Sequence, residues 1–340
     1  MVVAKVDGAS AVLQLGTAFA PAKILHSAVE TGLFEAVRDE PADHATICST
    51  LGLNLRLTRD FLDALVVLGL LEKENGGYRS SEVAKKFLLP DGEGYVGGRI
   101  KIGGDMHYRA WQSLTEALRD GKPKANIDAD AKAYERLYGD PERARVFFAH
   151  MDASNVMVAP QLDEVVTWSE HKTFLDIGGA RGQVAAIVAE RNPHLTGGVF
   201  DFPLVRRYFD EMQRKYGTES RVTLHPGDFF RDPLPEADVY LIGHVLHDWA
   251  VEERRRIVAR IGEAARAGSL LLVYDQMLDD DRPDLQSLIG SLNVALITPG
   301  GSEYRVSECR EWVEDAGFRF LRAERLRVGN DVVLVAEKTA

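Results

Sequence analysis

Polar residues that could do chemistry return at intervals in the second half of the sequence, each at the end of a short apolar run. They are Asp176, Asp201, Asp228, the segment from His244 to Asp248, and Asp275. Carboxylates accept hydrogen bonds from hydroxyl and amino groups, and a histidine exchanges a proton near neutral pH. Because the carboxyl ends of parallel strands meet at one edge of a sheet, the pattern predicts one site along that edge.

The stretch from Thr173 to Gly182, T-F-L-D-I-G-G-A-R-G, predicts how that edge holds a ligand. Its apolar run forms a strand, and the glycines that follow allow a tight turn. From Gln183 apolar residues recur at helical spacing until Asn192 and Pro193 end the helix. This arrangement is typical of a site for a nucleotide-like cofactor, although an ordinary strand–turn–helix unit gives the same pattern.

The glycine spacing indicates which cofactor. A dinucleotide fingerprint starting at Gly178 requires glycine at positions 180 and 183, where the chain has Ala180 and Gln183. A second strand, Thr196 to Phe200, ends in Asp201, whose two carboxylate oxygens suit the hydroxyls of a ribose. The pattern predicts an adenosine-type ligand without a pyrophosphate. Asp201 is expected at an exposed strand end, so that Asp201→Ala weakens cofactor binding without unfolding the chain.

The composition is that of a globular chain of 340 residues, 45% hydrophobic and 27% charged, long enough for one large or two unequal domains. A formal net charge of -11 argues against nucleic acid or an anionic membrane surface as a partner. Cys48 and Cys309 are too few and too distant for a disulfide framework or a metal cluster, and no apolar run reaches the ~18 residues of a membrane span. We therefore expect a soluble cytoplasmic protein without a metal.

The beginning of the chain is nearly all apolar. Residues 10–37 predict two helices broken near Pro21, with little polar surface to face water. Such helices are buried either by their own domain or by a second subunit. We favour the second alternative, a homodimer.

A winged helix-turn-helix is predicted next. Thr46–Leu51 and Thr58–Leu68 have helical patterns, and a hairpin with an Asn-Gly turn follows them. The second helix of such a motif can read DNA, but this one carries two aspartates beside its one arginine and is otherwise apolar. We interpret the segment as a dimerisation scaffold.

Frequent glycines from Gly92 to Gly104 predict a flexible or ligand-adjacent connection and the domain border. Residues 1–98 are assigned to the helical, winged-helix dimerisation domain and residues 99–340 to the second domain, in which Trp111–Leu118 and Asp140–Val158 are predicted helices. The aromatic and methionine positions of this region are interpreted as core rather than ligand pocket; they are Trp111, Tyr134, Tyr138, Phe147, Phe148, Met151 and Met157.

The remaining pattern alternates strands and helices and then changes. The predicted elements are a helix at 205–216, a strand that ends at Asp228, strands at 238–245 and 269–274, and helices at 252–265 and 307–316. Two strands joined by a short turn, 319–327 and 331–337, predict a final antiparallel pair. The predicted fold class is α/β, with a Rossmann-like sheet that ends in an antiparallel hairpin.

Five motifs occur in order and at fitting intervals: D-I-G-G-A-R-G, F-D-F-P, G-D-F-F, H-V-L-H-D-W and T-P-G-G-S-E-Y. With them the whole chain resembles the S-adenosylmethionine-dependent small-molecule O-methyltransferases with an N-terminal dimerisation domain, a family with plant caffeic-acid-type and bacterial aromatic-polyketide tailoring enzymes. The resemblance implies a class I methyltransferase sheet, S-adenosylmethionine as cofactor, S-adenosylhomocysteine as product, a small aromatic acceptor and a role in antibiotic or other secondary-metabolite biosynthesis.

The resemblance also implies residue roles. It places His247 as the catalytic base, held by Asp275 and Glu303. The cofactor-binding residues that it implies are Asp176, Gly178, Gly179, Gly182, Asp201, Phe202, Asp228, Phe229, Gly243, Trp249 and Asn155. Helices between residues 105 and 160 are expected to help form the acceptor pocket, whose implied residues are Trp111, Tyr134, Met151 and Asn293.

Three positions depart from the family pattern. Ala180 stands at the commoner third glycine and crowds the turn. Asp275 stands where plant members carry glutamate, which shortens its reach to His247 by one methylene. Arg305 stands where serine or threonine is expected, and the sequence offers no role for it.

The predicted chemistry is methyl transfer to a phenolic hydroxyl. A phenol with a pKa of ~10 is a poor nucleophile at neutral pH, and a histidine with a pKa of ~6.5 is suited to take its proton. Two alternatives stay open: methylation of carbon or nitrogen by the same fold, and a cofactor-binding or regulatory relative that is not an enzyme.

Overall fold

A computed structural model describes residues 6–92, 94–125 and 131–340. Residues 126–130, part of the stretch predicted to help form the acceptor pocket, lie outside the described residues. The chain forms two compact units, residues 1–106 and 107–340, whereas the sequence prediction placed the border at 98. No helix in the described ranges is both long and apolar enough to cross a membrane.

The first unit contains seven helices within the described residues and one hairpin. Its elements are α1 Ala9–Gly16, α2 Phe19–Glu30, α3 Leu33–Ala36, α4 His44–Leu51, α5 Leu55–Val67, β1 Leu71–Glu74, β2 Gly77–Ser80, α6 Glu82–Leu88 and α7 Gly97–Ile102. Helices α4 and α5 begin at side-chain caps, Asp43 and Asn54, which accept hydrogen bonds from backbone N–H groups of the first turn. Two helices followed by a hairpin is the element order predicted for a winged helix-turn-helix.

Two sequence predictions in this unit differ in detail from the structure. The first break in the apolar helices lies at Thr17 and Ala18, and Pro21 stands in the first turn of α2, where its missing N–H is not needed. The glycine-rich stretch is not a flexible connection throughout, because α7 and a π-helical turn at Gly103–His107 occupy its second half. A Cβ at Gly104 would lie 3.3 Å from the Cβ of His26 in α2, so glycine here serves close packing.

The second unit contains seven strands and ten α-helices within the described residues. The helices are α8 Tyr108–Gln112, α9 Leu114–Asp120, α10 Ala131–Gly139, α11 Pro141–Val158, α12 Leu162–Val165, α13 Gln183–Arg191, α14 Arg206–Tyr216, α15 Val251–Ala264, α16 Leu285–Ile297 and α17 Val306–Asp315. The strands are β3 Thr173–Ile177, β4 Thr196–Asp201, β5 Val222–Pro226, β6 Val239–Gly243, β7 Leu270–Asp275, β8 Phe318–Arg325 and β9 Val332–Lys338.

These strands form one sheet in the order β5-β4-β3-β6-β7-β9-β8. The strands from β5 to β7 are parallel, and β9 pairs antiparallel with both β7 and β8. The Rossmann-like sheet with a terminal antiparallel hairpin is therefore confirmed. Chain order reverses between β3 and β6, which is the position where open α/β sheets bind ligands beyond the carboxyl ends of their strands.

Alternating side chains of the strands enter two separate cores. Phe174 of β3 packs in a core with α11, α13 and α14, whereas Leu175 and Ile177 pack with α15 and α17 on the other face. Burial on both faces explains the nearly continuous apolar runs of the strands. Two boundaries differ from prediction: β5 ends at Pro226, before Asp228, and Ser113 separates α8 from α9 within the predicted helix 111–118.

Candidate active site

The glycine turn after β3 is tightly constrained. Gly178 and Gly182 have φ values of 69° and 74°. A Cβ at Gly178 would lie 2.7 Å from Val245 Cγ2, and one at Gly179 would lie 2.4 Å from Asp176 Oδ2. Only glycine fits positions 178 and 179 without a shift of neighbouring atoms.

Ala180, the departure from the family pattern, also adopts a left-handed conformation, with a φ of 52°. This conformation costs an alanine about 1–2 kcal/mol relative to a right-handed one. The N–H of Ala180 donates to Asp201 Oδ2 at 2.8 Å, and this hydrogen bond holds the strained residue in place.

Asp201 lies at the end of β4, as predicted, but it is not exposed. It is 6% exposed, and its other oxygen, Oδ1, accepts from the N–H of Phe202 at 2.7 Å. Each carboxylate oxygen keeps a lone pair that a ribose hydroxyl can use. The premise of an exposed strand end is therefore wrong, and Asp201→Ala would also remove two backbone hydrogen bonds.

Asp176 offers a buried carboxylate to this turn. Its Oδ2 has no hydrogen-bond partner among the described residues. Burial, followed by repulsion from Asp201, raises the pKa of Asp176 to about 7, and burial raises the pKa of Asp201 to about 6 despite the two backbone N–H donors. Two buried carboxylates in need of positive charge fit a ligand that carries an ammonium and a sulfonium.

Most of the other implied cofactor residues follow β5 and β6 in the chain or end β6. Asp228 accepts from the N–H of Phe230 at 2.9 Å and so shapes the turn after β5. The ring of Phe229 meets that of Trp249 edge to face at 6.0 Å. A Cβ at Gly243 would lie 1.8 Å from the Tyr274 ring, so this position admits no side chain. Asn155 is buried in α11.

The predicted catalytic residues meet at the ends of β6 and β7. His247 lies in a short 3-10 turn after β6, and its Nδ1 is 2.9 Å from Glu303 Oε1 and 3.4 Å from Asp275 Oδ1. Asp275 is fully buried, and the Tyr304 hydroxyl donates to its Oδ2 at 2.5 Å. The carboxylate that hydrogen-bonds the histidine is therefore Glu303, and the shorter Asp275 adds charge from slightly farther away.

The opposite ring nitrogen of His247 is differently placed. Nε2 lies 3.7 Å from Asp248 Oδ1 and makes no hydrogen bond within the described residues. When Nδ1–H donates to Glu303, Nε2 keeps its lone pair and can accept a proton. Burial lowers the pKa of His247, but the charges of Asp275, Glu303 and Asp248 outweigh it and raise that pKa well above its usual range.

His244 belongs to the same cluster. It has a φ of 53°, and its two ring nitrogens face Asp275 at 3.9 Å and Asp331 at 3.3 Å. His244, His247 and Asp275 each offer a ligand atom within 4.8 Å of the others, a combination that could hold a transition metal. His247 already has a hydrogen-bond partner in Glu303, so the cluster does not require a metal ion and can work as a histidine–carboxylate pair.

The implied acceptor residues form two separate polar contacts. Trp111 Nε1 donates to Asn293 Oδ1 at 3.1 Å, and the Tyr134 hydroxyl donates to Asp248 Oδ2 at 2.6 Å. Burial and the nearby Asp248 raise the pKa of Tyr134 well above its usual range, so it remains a neutral donor. Met151 is half-buried on α11. The core interpretation is confirmed for Tyr138 and Phe148, whose buried rings stack at 5.4 Å.

Sequence reasoning assigned no individual role to several residues at this edge. Tyr304, His244 and Asp331 act on the histidine cluster, and only His244 had a visible signal, its place three residues before His247. Arg305, which had no assigned role, donates from Nη1 to the carbonyls of Asp279 at 3.1 Å and Asp280 at 2.7 Å and anchors that loop.

The strand order, the glycine turn without a dinucleotide register and the acidic end of β4 define a class I S-adenosylmethionine-dependent methyltransferase. The sequence matches the family model of the O-methyltransferase domain over residues 111–319 and that of the O-methyltransferase dimerisation domain over residues 13–90. The chain belongs to the O-methyltransferase family, and S-adenosylmethionine is its cofactor.

Its relatives include both oxygen and nitrogen methyltransferases. The chain is 43% identical to the N,N-dimethyltransferase OxyT of Streptomyces rimosus and 40% identical to the tetracenomycin polyketide synthesis 8-O-methyltransferase TcmO of Streptomyces glaucescens, over 98% of each chain in both cases. Human N-acetylserotonin methyltransferase in complex with S-adenosylmethionine has a similar structure, with a TM-score of 0.87, 26% identity and 99% of each chain covered.

Proposed function

We propose that this enzyme transfers a methyl group to a hydroxyl of a small aromatic acceptor, phenolic or of the aromatic-polyketide type, with His247 as general base. One observation carries the proposal: Nδ1 of His247 is paired with Glu303 at 2.9 Å, while Nε2 lacks a hydrogen bond among the described residues. This arrangement selects the tautomer that can accept the proton of a phenol.

The chain's own residues have two tasks in this mechanism. S-adenosylmethionine, when bound, supplies an electrophilic methyl carbon on a sulfonium. The residues of the site must align the acceptor oxygen with it, and alignment of this kind contributes roughly 7–11 kcal/mol to catalysis. His247 must then take the phenolic proton, for which Glu303 holds the ring and Asp275 stabilises the imidazolium that forms.

For the cofactor we propose the residues that the family resemblance implies. Asp201 accepts from the ribose, and the turn at Gly178, Gly179 and Gly182 admits the methionine part because no side chain crowds it. Phe229 and Trp249 flank the adenine. Asp176 supplies a second buried carboxylate beside the turn, next to Gly179.

Cofactor binding should depend on pH through Asp176. Its pKa of about 7 in the free enzyme means that a bound cation favours the ionised carboxylate. The affinity for S-adenosylhomocysteine, which carries an ammonium, should therefore rise between pH 6 and pH 8. In Asp176→Asn this dependence should weaken, and the part that remains comes from Asp201, whose pKa is about 6.

Titration calorimetry at both pH values measures the effect, with NAD as a second ligand and Asp238→Asn as the control carboxylate outside the site. A wild-type affinity that is flat across this range would contradict the role of Asp176. Saturable binding of NAD would contradict the adenosine-type site.

Oxygen is the proposed acceptor atom although one relative is an N,N-dimethyltransferase. The buried carboxylates around His247 favour oxygen, because an amine that is already nucleophilic has less need of a base. Enzyme supplied with methyl-labelled S-adenosylmethionine and paired aromatic acceptors, one with a hydroxyl and one with a dimethylatable amine, should label the hydroxyl. Label found only on nitrogen would overturn this assignment.

We propose that the enzyme is a homodimer formed through its first helices. Leu13 of α1 and Phe19 of α2 are 72% and 60% exposed, and α1 has no buried residue. An exposed apolar surface of this kind is typical of a protein–protein interface. Light scattering should give twice the 37.6 kDa chain mass, and Leu13→Asp with Phe19→Asp should give a monomer. Gln14→Asp, which adds one of these two charges and removes no apolar side chain from α1, should stay dimeric; a monomeric wild type would contradict the proposal.

A further inference from the structure

Arg254 occupies an unusual place for an arginine. It lies in the first turn of α15, is 2% exposed, and points its guanidinium at backbone oxygens. Nε donates to the Trp249 carbonyl at 2.6 Å, and Nη2 donates to the Ser302 carbonyl at 2.8 Å and to Ser302 Oγ at 3.2 Å. The cation also lies over the rings of Tyr304, at 5.1 Å, and Trp312, at 5.6 Å.

This charge is costly where it stands. A buried ion requires hydrogen bonds or an opposite charge, and an apolar side chain of similar volume usually packs as well or better. Within the described ranges, no carboxylate oxygen lies within the 4.0 Å of an ion pair with Arg254. Packing alone therefore does not explain an arginine at this position.

The contacts of Arg254 join the two segments that carry the proposed base and its carboxylate. Trp249 follows His247 in the turn after β6, and Ser302 precedes Glu303. The same two segments meet directly through the N–H of Ser302, which donates to the carbonyl of His247 at 2.9 Å. Nη2 of Arg254 lies 3.5 Å from that carbonyl, on the same junction.

We propose that Arg254 is a positioning residue of the methyl-transfer site, which holds His247 and Glu303 in register and places a buried positive charge behind their carboxylate cluster. This inference rests on the proposed function, because it acts through the base. In this proposal Arg254 contacts neither the acceptor nor the cofactor.

The electrostatic part follows from the groups around the His247 ring. Three carboxylates face the ring directly, those of Asp248, Asp275 and Glu303. Behind them, Tyr134 donates a hydrogen bond to Asp248, Tyr304 donates one to Asp275, and His244 also lies beside Asp275. The three carboxylates favour the protonated histidine. A guanidinium behind the cluster opposes this effect and keeps more of the histidine neutral.

Two variants separate geometry from charge. Arg254→Lys keeps the charge, but a single ammonium cannot serve the Trp249 and Ser302 carbonyls as a planar fork does. We expect its kcat to fall about 10- to 100-fold. The pH range over which kcat rises, as His247 loses its proton, should stay the same as in wild type. Arg254→Gln loses the charge as well, so the rise of its kcat with pH should also move to higher pH. The loss of affinity for S-adenosylhomocysteine, which reports any shift of Trp249 at the proposed adenine site, should be smaller than the loss of kcat in both variants.

Arg255→Gln is the matched control, because Arg255 is the next residue of the same helix and pairs with Glu311 and Asp315 on the surface. Its kcat and the pH range over which kcat rises should equal those of wild type. The folded fraction of each variant is measured by circular dichroism at the assay temperature.

The inference is overturned if Arg254→Lys keeps the wild-type kcat, if the rise of kcat with pH in Arg254→Gln coincides with that of wild type, or if lost activity only follows the lost folded fraction. A wild-type enzyme that does not methylate phenols, or a His247→Asn variant with full activity, would contradict the proposed function instead. The two failures are therefore distinguishable.

Discussion

Replacement of His247 by asparagine should lower kcat on a phenolic acceptor at neutral pH by about 10²- to 10⁴-fold, the usual range for a lost general base. Asparagine still offers Glu303 a hydrogen-bond donor, so the buried carboxylate is not left without a partner. It cannot take the phenolic proton. Because His247 contributes to the chemical step and not to cofactor binding, the affinity for S-adenosylhomocysteine should remain near that of wild type.

Steady-state kinetics with saturating cofactor and calorimetry with S-adenosylhomocysteine measure the two effects. His171→Asn, a histidine of the same unit outside the site, is the control and should retain activity. Equal losses of activity and cofactor affinity in His247→Asn would indicate a structural histidine. Full activity at neutral pH would show that the base is elsewhere or that the acceptor needs none.

The second large effect is expected at Glu303. Glu303→Gln weakens the hold on Nδ1 and allows the wrong tautomer, so kcat should fall by up to about 10²-fold. The pH dependence has a definite sign. Glu303 helps to raise the pKa of His247, and the neutral ring is the active form, so wild-type kcat should rise with pH above the ordinary histidine range. In Glu303→Gln the pKa of His247 falls, and the rising limb should move to lower pH.

Profiles of kcat against pH for wild type, Glu303→Gln and the exposed control Glu311→Gln measure this shift. The control should superimpose on wild type. A limb that stays in place in Glu303→Gln, or moves to higher pH, would mean that the carboxylate does not control the protonation of His247.

Local patterns sufficed to predict the sheet and the cofactor turn. β3 and α13 were predicted from an apolar run, a glycine cluster and a helical repeat, all of which lie within twenty residues of sequence. The failures depend on neighbours in space. Pro21 fits a first helical turn as well as a break, and Gly103 and Gly104 lie in a helical turn packed against His26 of α2, a contact that the sequence does not display.

The site divides in the same way. His247 and Asp176 could be predicted because they lie in recognisable sequence motifs. The roles of Asp275 and Glu303 beside His247 followed from the family resemblance. The sequence could not show that Glu303 takes the hydrogen bond to His247 while Asp275 is held by Tyr304. It also gave no sign that Asp201 is buried and ties the glycine turn, or that Arg254 is buried against two carbonyls, because each depends on contacts between distant segments.

The most direct test of the base assignment is kcat for a series of phenols that share one ring skeleton and differ in pKa, measured at one pH on the plateau of the wild-type profile, where His247 is neutral. An enzyme in which His247 takes the proton should show only a weak dependence on phenol pKa, because proton transfer accompanies attack. His247→Asn should depend steeply on it, since only the phenolate fraction reacts, and the most acidic phenols should approach wild-type rates. Parallel dependences in the two enzymes would contradict the role of His247.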